Sequence, residues 1–240
     1  MRTDWSVPLP DPKVFHDPFA LEIGWDSMTG GSTNIVSRRF ESASPIKAEF
    51  VPTSASLGVA HQIQWSGLAL IALSSWAIVK QHAYSLFIGI IFGFGFLAVG
   101  MAVSWFIHVP IVFDRSLGLF WKGRQNPKQD PAQVPTPGTG VLLNQIHAIQ
   151  LLTKRVLMRG IQGRGGSNYL SYQLNLVLKD KTRVTVIDHA GIQASREDAK
   201  KLAEFLSVPL WDTAKSETDL LPPDASKLET WIAKSVDKID

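Results

Sequence analysis

The acid–imidazole pair Asp188–His189 is the first place in this sequence to look for catalytic chemistry. A carboxylate beside an imidazole can orient the ring as a general base. Neighbouring residues on a strand point to opposite faces of the sheet, however, so they form no simple dyad unless the strand ends there and bends. We therefore predict that the pair has a structural role, in hydrogen bonds near the turn at Gly191.

Known catalytic and cofactor motifs are absent from the sequence. It contains no Gly-x-Ser-x-Gly, no His-Glu-x-x-His and no Gly-Lys-Ser/Thr phosphate loop. The six histidines lack the spacing of metal ligands, and there is no cysteine to supply a thiolate. We predict a protein that is not an enzyme and that binds no cofactor or metal.

A glycine-rich segment over residues 160–166 reads Gly-Ile-Gln-Gly-Arg-Gly-Gly and superficially resembles a phosphate-binding loop. A strand pattern follows it, whereas a nucleotide site would have a helix there. We interpret the segment as the tip of a β-hairpin.

Basic residues are concentrated in one block, residues 114–191, with eleven Lys and Arg against four Asp and Glu. This block could face anionic lipid headgroups or a partner, each basic group contributing about 1 kcal/mol near a charged membrane. Alternatively, it is a solvated face that only sets membrane topology. Nucleic acid is not expected, because no recognition helix or stacking motif accompanies the charges. The candidate surface consists of Arg115, Lys122, Arg124, Lys154, Arg155, Arg159 and Arg164.

Two apolar runs directly precede this basic block and must determine where it lies. Residues 57–79 and 85–113 contain no Lys, Arg, Asp or Glu, and only the short break at 80–84 separates them. A hydrocarbon core about 30 Å thick needs roughly 20 apolar helical residues, so each run is long enough to cross a membrane. The sequence predicts a transmembrane helical hairpin. A buried hairpin in a soluble protein is the disfavoured alternative, because so small a domain rarely encloses two such runs.

Charge asymmetry predicts the topology. Arg115, Lys122, Arg124 and Lys128 closely follow the second run, while the hairpin loop carries only Lys80. Since the side richer in Lys and Arg stays in the cytoplasm, both termini should be cytoplasmic.

Gly89 and Gly93 have a small-xxx-small spacing in the second run. Such spacing lets helix backbones approach closely. It indicates either a homo-oligomer contact or packing of the hairpin against itself.

Alternating strands dominate the rest of the chain. The pattern predicts a β-hairpin over 111–122, a strand over Ile146–Met158, a long strand over 170–179, a return strand over 183–187 and a helix over 195–206. Ser195 with Asp198 resembles a capping box at the start of that helix. We expect these strands to form one meander. In the long strand, Leu174 and Leu176 should be buried, and Ser171, Gln173 and Asn175 should face away from the core.

Four domains follow from these patterns. They are an N-terminal cytoplasmic segment with short strands (1–56), the hairpin (57–109), a β-sheet domain with a closing helix (110–212), and a linker with a short amphipathic helix (213–240). In the last, Ser226 and Glu229 have capping-box spacing, and Trp231 lies on the apolar face.

The order of these elements resembles the bacterial pleckstrin-homology-like (PH-like) membrane proteins. The resemblance covers roughly residues 20–212 and is carried by the hairpin, the strand Ile111-Val-Phe-Asp114-Arg115-Ser-Leu-Gly118-Leu-Phe that follows it, and Asn175-Leu-Val-Leu-Lys-Asp180 ahead of the last helix. It implies a split-barrel sheet capped by a helix. It implies no activity.

The expected fold class is a membrane α-helical hairpin plus an α+β, mostly antiparallel β, PH-like domain closed by a C-terminal helix. The expected function is an inner-membrane protein of a bacterial cell whose cytoplasmic domain binds a protein, a peptide or an anionic lipid headgroup. The alternative is an accessory subunit of a membrane-bound lipid-processing enzyme or of a transport complex. Transport is disfavoured, because the apolar runs contain no clustered charge.

Overall fold

The computed structural model describes residues 7, 9–28, 35–82, 84–124, 140–158 and 167–220. The chain divides into two compact units. We call residues 35–144 the hairpin unit, and residues 1–34 with 145–240 the long-strand unit. The predictions made for Gly160–Gly166, Arg159, Arg164 and the tail around Trp231 lie outside the described residues.

Nine strands and five α-helices lie in the described residues. The strands are β1 (Arg38–Ser44), β2 (Lys47–Pro52), β3 (Ile111–Asp114), β4 (Leu119–Lys122), β5 (Gly140–Leu142), β6 (Ile146–Met158), β7 (Ser167–Leu178), β8 (Arg183–His189) and β9 (Leu210–Asp212). The helices are α1 (Pro18–Glu22), α2 (Ser54–Gln81), α3 (Phe87–Ile107), α4 (Ile192–Leu206) and α5 (Glu217–Leu220).

Helices α2 and α3 form the predicted hairpin. At 1.5 Å per residue, the 21 residues of α3 span about 31 Å, the thickness of a hydrocarbon core. Both helices are long and apolar enough to cross a membrane. Large apolar side chains cover their outer surfaces, and Trp65, Phe92 and Phe106 are 70%, 58% and 72% exposed. So wide an apolar surface is typical of a protein that contacts lipid.

Glycines bring the two helices into backbone contact. A Cβ atom placed on Gly67 would lie 2.7 Å from the carbonyl oxygen of Gly93, and one on Gly93 would lie 2.8 Å from that of Gly67. A Cβ atom on Gly89 would collide with the Oγ atom of Ser74, which is itself buried. Gly89 and Gly93 therefore pack within the hairpin, and a homo-oligomer through them stays a prediction.

The hairpin unit also holds a five-stranded antiparallel sheet in the order β1-β2-β3-β4-β5. The predicted hairpin of β3 and β4 is confirmed, and Asp114 closes its turn by accepting a hydrogen bond from the Leu117 amide at 3.0 Å. Gly118 takes the left-handed conformation, φ +65°, that this turn requires. The core of the sheet is aromatic, with Phe113 and Phe120 4.6 Å apart between ring centres.

The long-strand unit is built on a second sheet, in the order β8-β7-β6-β9. Strand β6 has the predicted bounds and pairs antiparallel with β7, while the short β9 pairs parallel with its other edge over Ile149–Leu151. The predicted single meander is therefore wrong. β3 pairs with β2, because the helical hairpin returns the chain beside the strand that precedes it, and β4 and β5 extend that sheet.

Both faces of β7 are buried, which corrects the prediction for its polar face. Leu174 and Leu176 are 1% and 0% exposed, as predicted, but Gln173 and Asn175 are also 0% exposed. Residues 9–28 provide the cover. The Met28 amide donates to the Gln173 side chain at 2.9 Å, and the N-terminal aromatic rings pack around Trp211.

Helix α4 lies beside β6, β7 and β9 and buries Ala199, Leu202 and Phe205. It begins at Ile192 with Gly191 as its N-cap. Ser195 is a buried residue of the first turn, so the predicted capping box is wrong. Arg196 fixes the helix to β9 through an ion pair with Asp212 at 2.8 Å.

The first testable prediction concerns the glycine contact. Gly93→Ala should destabilise the hairpin, because its Cβ atom would meet the Gly67 carbonyl, which belongs to the backbone and moves only with its helix. Gly95→Ala is the matched control, since nothing lies within 4 Å of its Cβ position. The control should be neutral or up to about 1 kcal/mol more stable, because alanine favours helix. Denaturant titration of the full chain in micelles measures the difference, and equal stabilities for the two variants would contradict the contact.

Candidate functional site

The strongest polar cluster of the long-strand unit is buried between three strands. Lys154 of β6, 6% exposed, forms an ion pair with Asp188 of β8, and Ser171 of β7 donates to the other carboxylate oxygen at 2.5 Å. Lys154 and Ser171 are cross-strand partners, which places all three side chains on one face. Burial of a charge is costly unless it is paired, so the cluster fixes the alignment of β6, β7 and β8.

His189 lies on the opposite side of the strand from this cluster, as expected for the residue next to Asp188. It is fully buried, and this desolvation lowers the pKa of its imidazole to about 4, although the nearby Asp188 carboxylate acts in the other direction. The ring is therefore neutral at pH 7. Asp188 already binds Lys154 and Ser171, so the pair is not arranged as a catalytic dyad.

A chain of amide groups continues the polar face of this sheet. The Asn175 side chain donates to the Gln150 carbonyl oxygen at 3.2 Å, and the Gln150 amide donates to the Gly24 backbone at 3.1 Å. Arg183 donates to the backbone carbonyl of Asp26 at 2.8 Å. The bonds from Gln150 and Arg183 hold the N-terminal segment on the sheet. Sequence reasoning missed these two because their partners are 126 and 157 positions apart.

A groove of about 310 Å³ runs beside the buried ion pair. One wall comes from the N-terminal segment, with Leu9 and Trp25, and the other from Leu152–Arg155 of β6. Leu9 is 71% exposed, so this wall is open to solvent. The groove offers apolar surface from Leu9 and Trp25 and a polar group from Arg155, while the Thr153 hydroxyl in the same wall bonds the Lys215 backbone.

The predicted basic surface is only partly a surface. Lys154 is buried and paired, which corrects its assignment to a lipid-facing patch. Arg155 is half-buried in the groove. Arg115 and Arg124 are exposed in the hairpin unit, and Lys122 exposes part of its side chain although protein atoms surround its ammonium group. The pKa of Lys122 is lowered to about 8, mainly because protein atoms desolvate the ammonium and also because Arg38 is near.

Two arginines bind the end of α3. Arg124 donates to the carbonyl oxygen of Trp105 at 2.5 Å, and Arg38 donates to that of Ile107 at 2.6 Å. His108 donates to the Ser104 carbonyl through both its amide, at 3.1 Å, and its Nδ1 atom, at 2.7 Å. Arg124 also lies over the Trp105 ring, 3.7 Å from its centre. A helix C-terminus carries partial negative charge and favours cations in this position.

Within the part of the chain that the structure describes, no three His, Asp or Glu side chains are grouped so that they could hold a metal ion. In comparisons with protein families, curated proteins and solved structures, the chain matches none of them. The residues themselves therefore carry the functional argument.

The second prediction concerns the buried ion pair. Lys154→Met leaves the Asp188 carboxylate buried without its cation and should cost about 3–5 kcal/mol of unfolding free energy. The double variant Lys154→Met with Asp188→Leu should recover most of that loss, because no buried charge remains. Lys179→Met, at an exposed lysine, is the control and should change stability by less than about 0.5 kcal/mol. If Lys154→Met costs no more than this control in denaturant unfolding, Lys154 is not buried.

The third prediction concerns pH. The folded His189 resists protonation down to about pH 4, whereas the unfolded chain binds that proton near its usual pKa of about 6.5. The unfolded state then holds more protons, so stability should fall as the pH drops from about 6.5 to 4, by up to about 3 kcal/mol. His189→Gln should lose this part of the pH dependence and keep the part due to carboxylates. Identical slopes for the two proteins in this range would place His189 in solvent.

Proposed function

We propose that this chain is a membrane-anchored, non-enzymatic binding protein. Helices α2 and α3 anchor it, both termini lie in the cytoplasm, and the long-strand unit binds an extended segment of a partner protein in the groove beside β6. The observation that carries this proposal is the groove itself. The strongest polar cluster of the same unit, formed by Lys154, Asp188 and Ser171, is occupied by its own contacts.

The residues of the groove are better suited to bind a peptide segment than anionic lipid headgroups. Of the four candidate cations in the long-strand unit, Lys154 is neutralised by Asp188 and Arg155 is half-buried, while Arg159 and Arg164 lie outside the described residues. Leu9 and Trp25 offer apolar contact, and Arg155 adds a polar group to the wall, while the Thr153 hydroxyl is bonded to the Lys215 backbone. A volume of about 310 Å³ is at the lower end for ligand pockets, which suits a few side chains of an extended segment.

The proposed location is the inner membrane of a bacterial cell. It is supported by two helices long enough to cross a membrane and by the basic residues Arg115, Lys122 and Arg124 after the second of them. We also propose that the soluble strands and α4 form a PH-like domain with α4 as its closing helix. The order of the elements, antiparallel strands followed by α4, is compatible with that proposal.

The fourth prediction tests the groove. The full chain, held in lipid nanodiscs, is panned against a displayed library of extended peptides, and the enriched peptides are titrated by fluorescence anisotropy. Leu9→Asp places a charge on the apolar wall and should weaken their binding about tenfold or more, which corresponds to about 1.4 kcal/mol.

Val14→Asp is the matched control. Val14 is 62% exposed in the same N-terminal segment and does not line the groove, so the variant should bind like the unchanged protein. Peptides that bind Leu9→Asp and the unchanged protein equally would refute the groove as the binding site. A library with no enrichment over empty nanodiscs would refute peptide binding altogether.

A further inference from the structure

A second cavity lies in the hairpin unit, between the first half of α2 and the C-terminal end of α3. It measures about 390 Å³ and is lined by Gln64, Met101, Ser104, Trp105, His108 and Arg124. We call it the interfacial pocket. Trp105 is three positions before the C-cap of α3, at the end where amphipathic rings mark a membrane–water boundary.

Gln64 is the unusual residue of this pocket. Gln64 is half-buried, and Gly100 of α3 leaves room for it, since a Cβ atom there would come within 2.6 Å of the Gln64 side chain. The described residues provide no hydrogen-bond partner for this amide. An amide at the edge of a membrane costs free energy unless it is hydrogen-bonded, so a ligand that binds it is favoured.

His108 and Arg124 direct further hydrogen-bonding groups into the same pocket. Because the Nδ1 atom of His108 donates to the Ser104 carbonyl, the Nε2 atom carries a lone pair and can accept a hydrogen bond from a ligand in the pocket. Arg124 uses one terminal nitrogen on the Trp105 carbonyl, and its guanidinium carbon lies 3.7 Å from the centre of the Trp105 ring. These two contacts hold the guanidinium in place, and a guanidinium can bind a phosphate through two parallel N–H groups.

We propose that the interfacial pocket binds the headgroup of an anionic phospholipid, with the phosphodiester accepting from Arg124 and the Gln64 amide, and the headgroup hydroxyls on the Nε2 atom of His108 and on Ser104. Two features identify the ligand class. None of the six described lining residues is Asp or Glu, so these residues offer no carboxylate for the ammonium of a zwitterionic headgroup. Met101 and Trp105 are exposed apolar residues of α3, 60% and 62%, which favours a ligand with acyl chains over a free phosphate.

This inference shares with the proposed function only the premise that the hairpin crosses a membrane. The groove and the interfacial pocket lie in different units and have no residue in common. Loss of lipid binding with intact peptide binding, or the reverse, therefore separates the two proposals.

The experiment measures binding of a short-chain phosphatidylglycerol to the full chain in neutral micelles, by native mass spectrometry and by the rise in unfolding temperature. The unchanged protein should bind it, and should bind phosphatidylcholine and glycerol phosphate at least about tenfold more weakly. Gln64→Leu, which an apolar helix tolerates, and Arg124→Lys, which keeps the charge but loses the fork, should each weaken binding of phosphatidylglycerol about tenfold.

Two matched controls come from the same unit. Gln62→Leu changes an exposed glutamine of α2 outside the pocket, and Arg115→Lys changes an exposed arginine in the turn between β3 and β4. Both should bind phosphatidylglycerol normally. The proposal is overturned if Gln64→Leu and Arg124→Lys bind as tightly as these controls. It is also overturned if phosphatidylcholine or glycerol phosphate binds as well as phosphatidylglycerol.

Discussion

The hairpin unit depends on the last four carbonyl groups of α3. The carbonyl groups in the last turn of a helix have no N–H donors within the helix. The hydrocarbon of a membrane supplies no water to replace those donors. All four are satisfied here, at Ser104 by His108, at Trp105 by Arg124, at Phe106 by the Val109 amide, and at Ile107 by Arg38. Arg38 belongs to β1 and Arg124 follows β4. The two arginines therefore fix two strands of the five-stranded sheet to the end of the helix.

The long-strand unit solves a comparable problem with its own N-terminal segment. Strand β7 presents Gln173 and Asn175 on one face, and in water this face would need no partner. The segment 9–28 instead covers it, the Met28 amide donates to Gln173, and the Gly24 carbonyl accepts from Gln150 of the neighbouring strand β6. Trp25 stabilises the fold of this segment. Its ring stacks on Phe15, with ring centres 5.4 Å apart, and its indole N–H donates to the Ala20 carbonyl. These bonds offset the desolvation of most of the polar face, and the Oδ1 atom of Asn175 has no hydrogen-bond partner among the described residues.

Local patterns predicted the elements and failed on their partners. The absence of charge identified α2 and α3, the alternation over Ile146–Met158 identified β6, and Asp114 with Gly118 identified the turn of β3 and β4. The division of the strands into two sheets depends on pairing between β2 and β3, which lie on either side of the helical hairpin. Alternation alone does not show that both faces of a strand are covered. The sequence therefore suggested solvent for Gln173, although the covering residue, Met28, is 145 positions away.

Net charge was a poor guide to the candidate site for the same reason: it does not show which partner each cation has in the fold. The excess of basic residues in 114–191 suggested one continuous surface, yet the structure uses these cations in different ways. Lys154 stabilises the interior of a sheet through Asp188, and Arg124 binds a helix end and an indole ring. A cation whose position is fixed by such contacts loses little conformational entropy when it binds an anion, whereas a mobile lysine loses more. Recognition in this chain is therefore expected where a charge is already held in place, as at Arg124, and not where charges are most numerous.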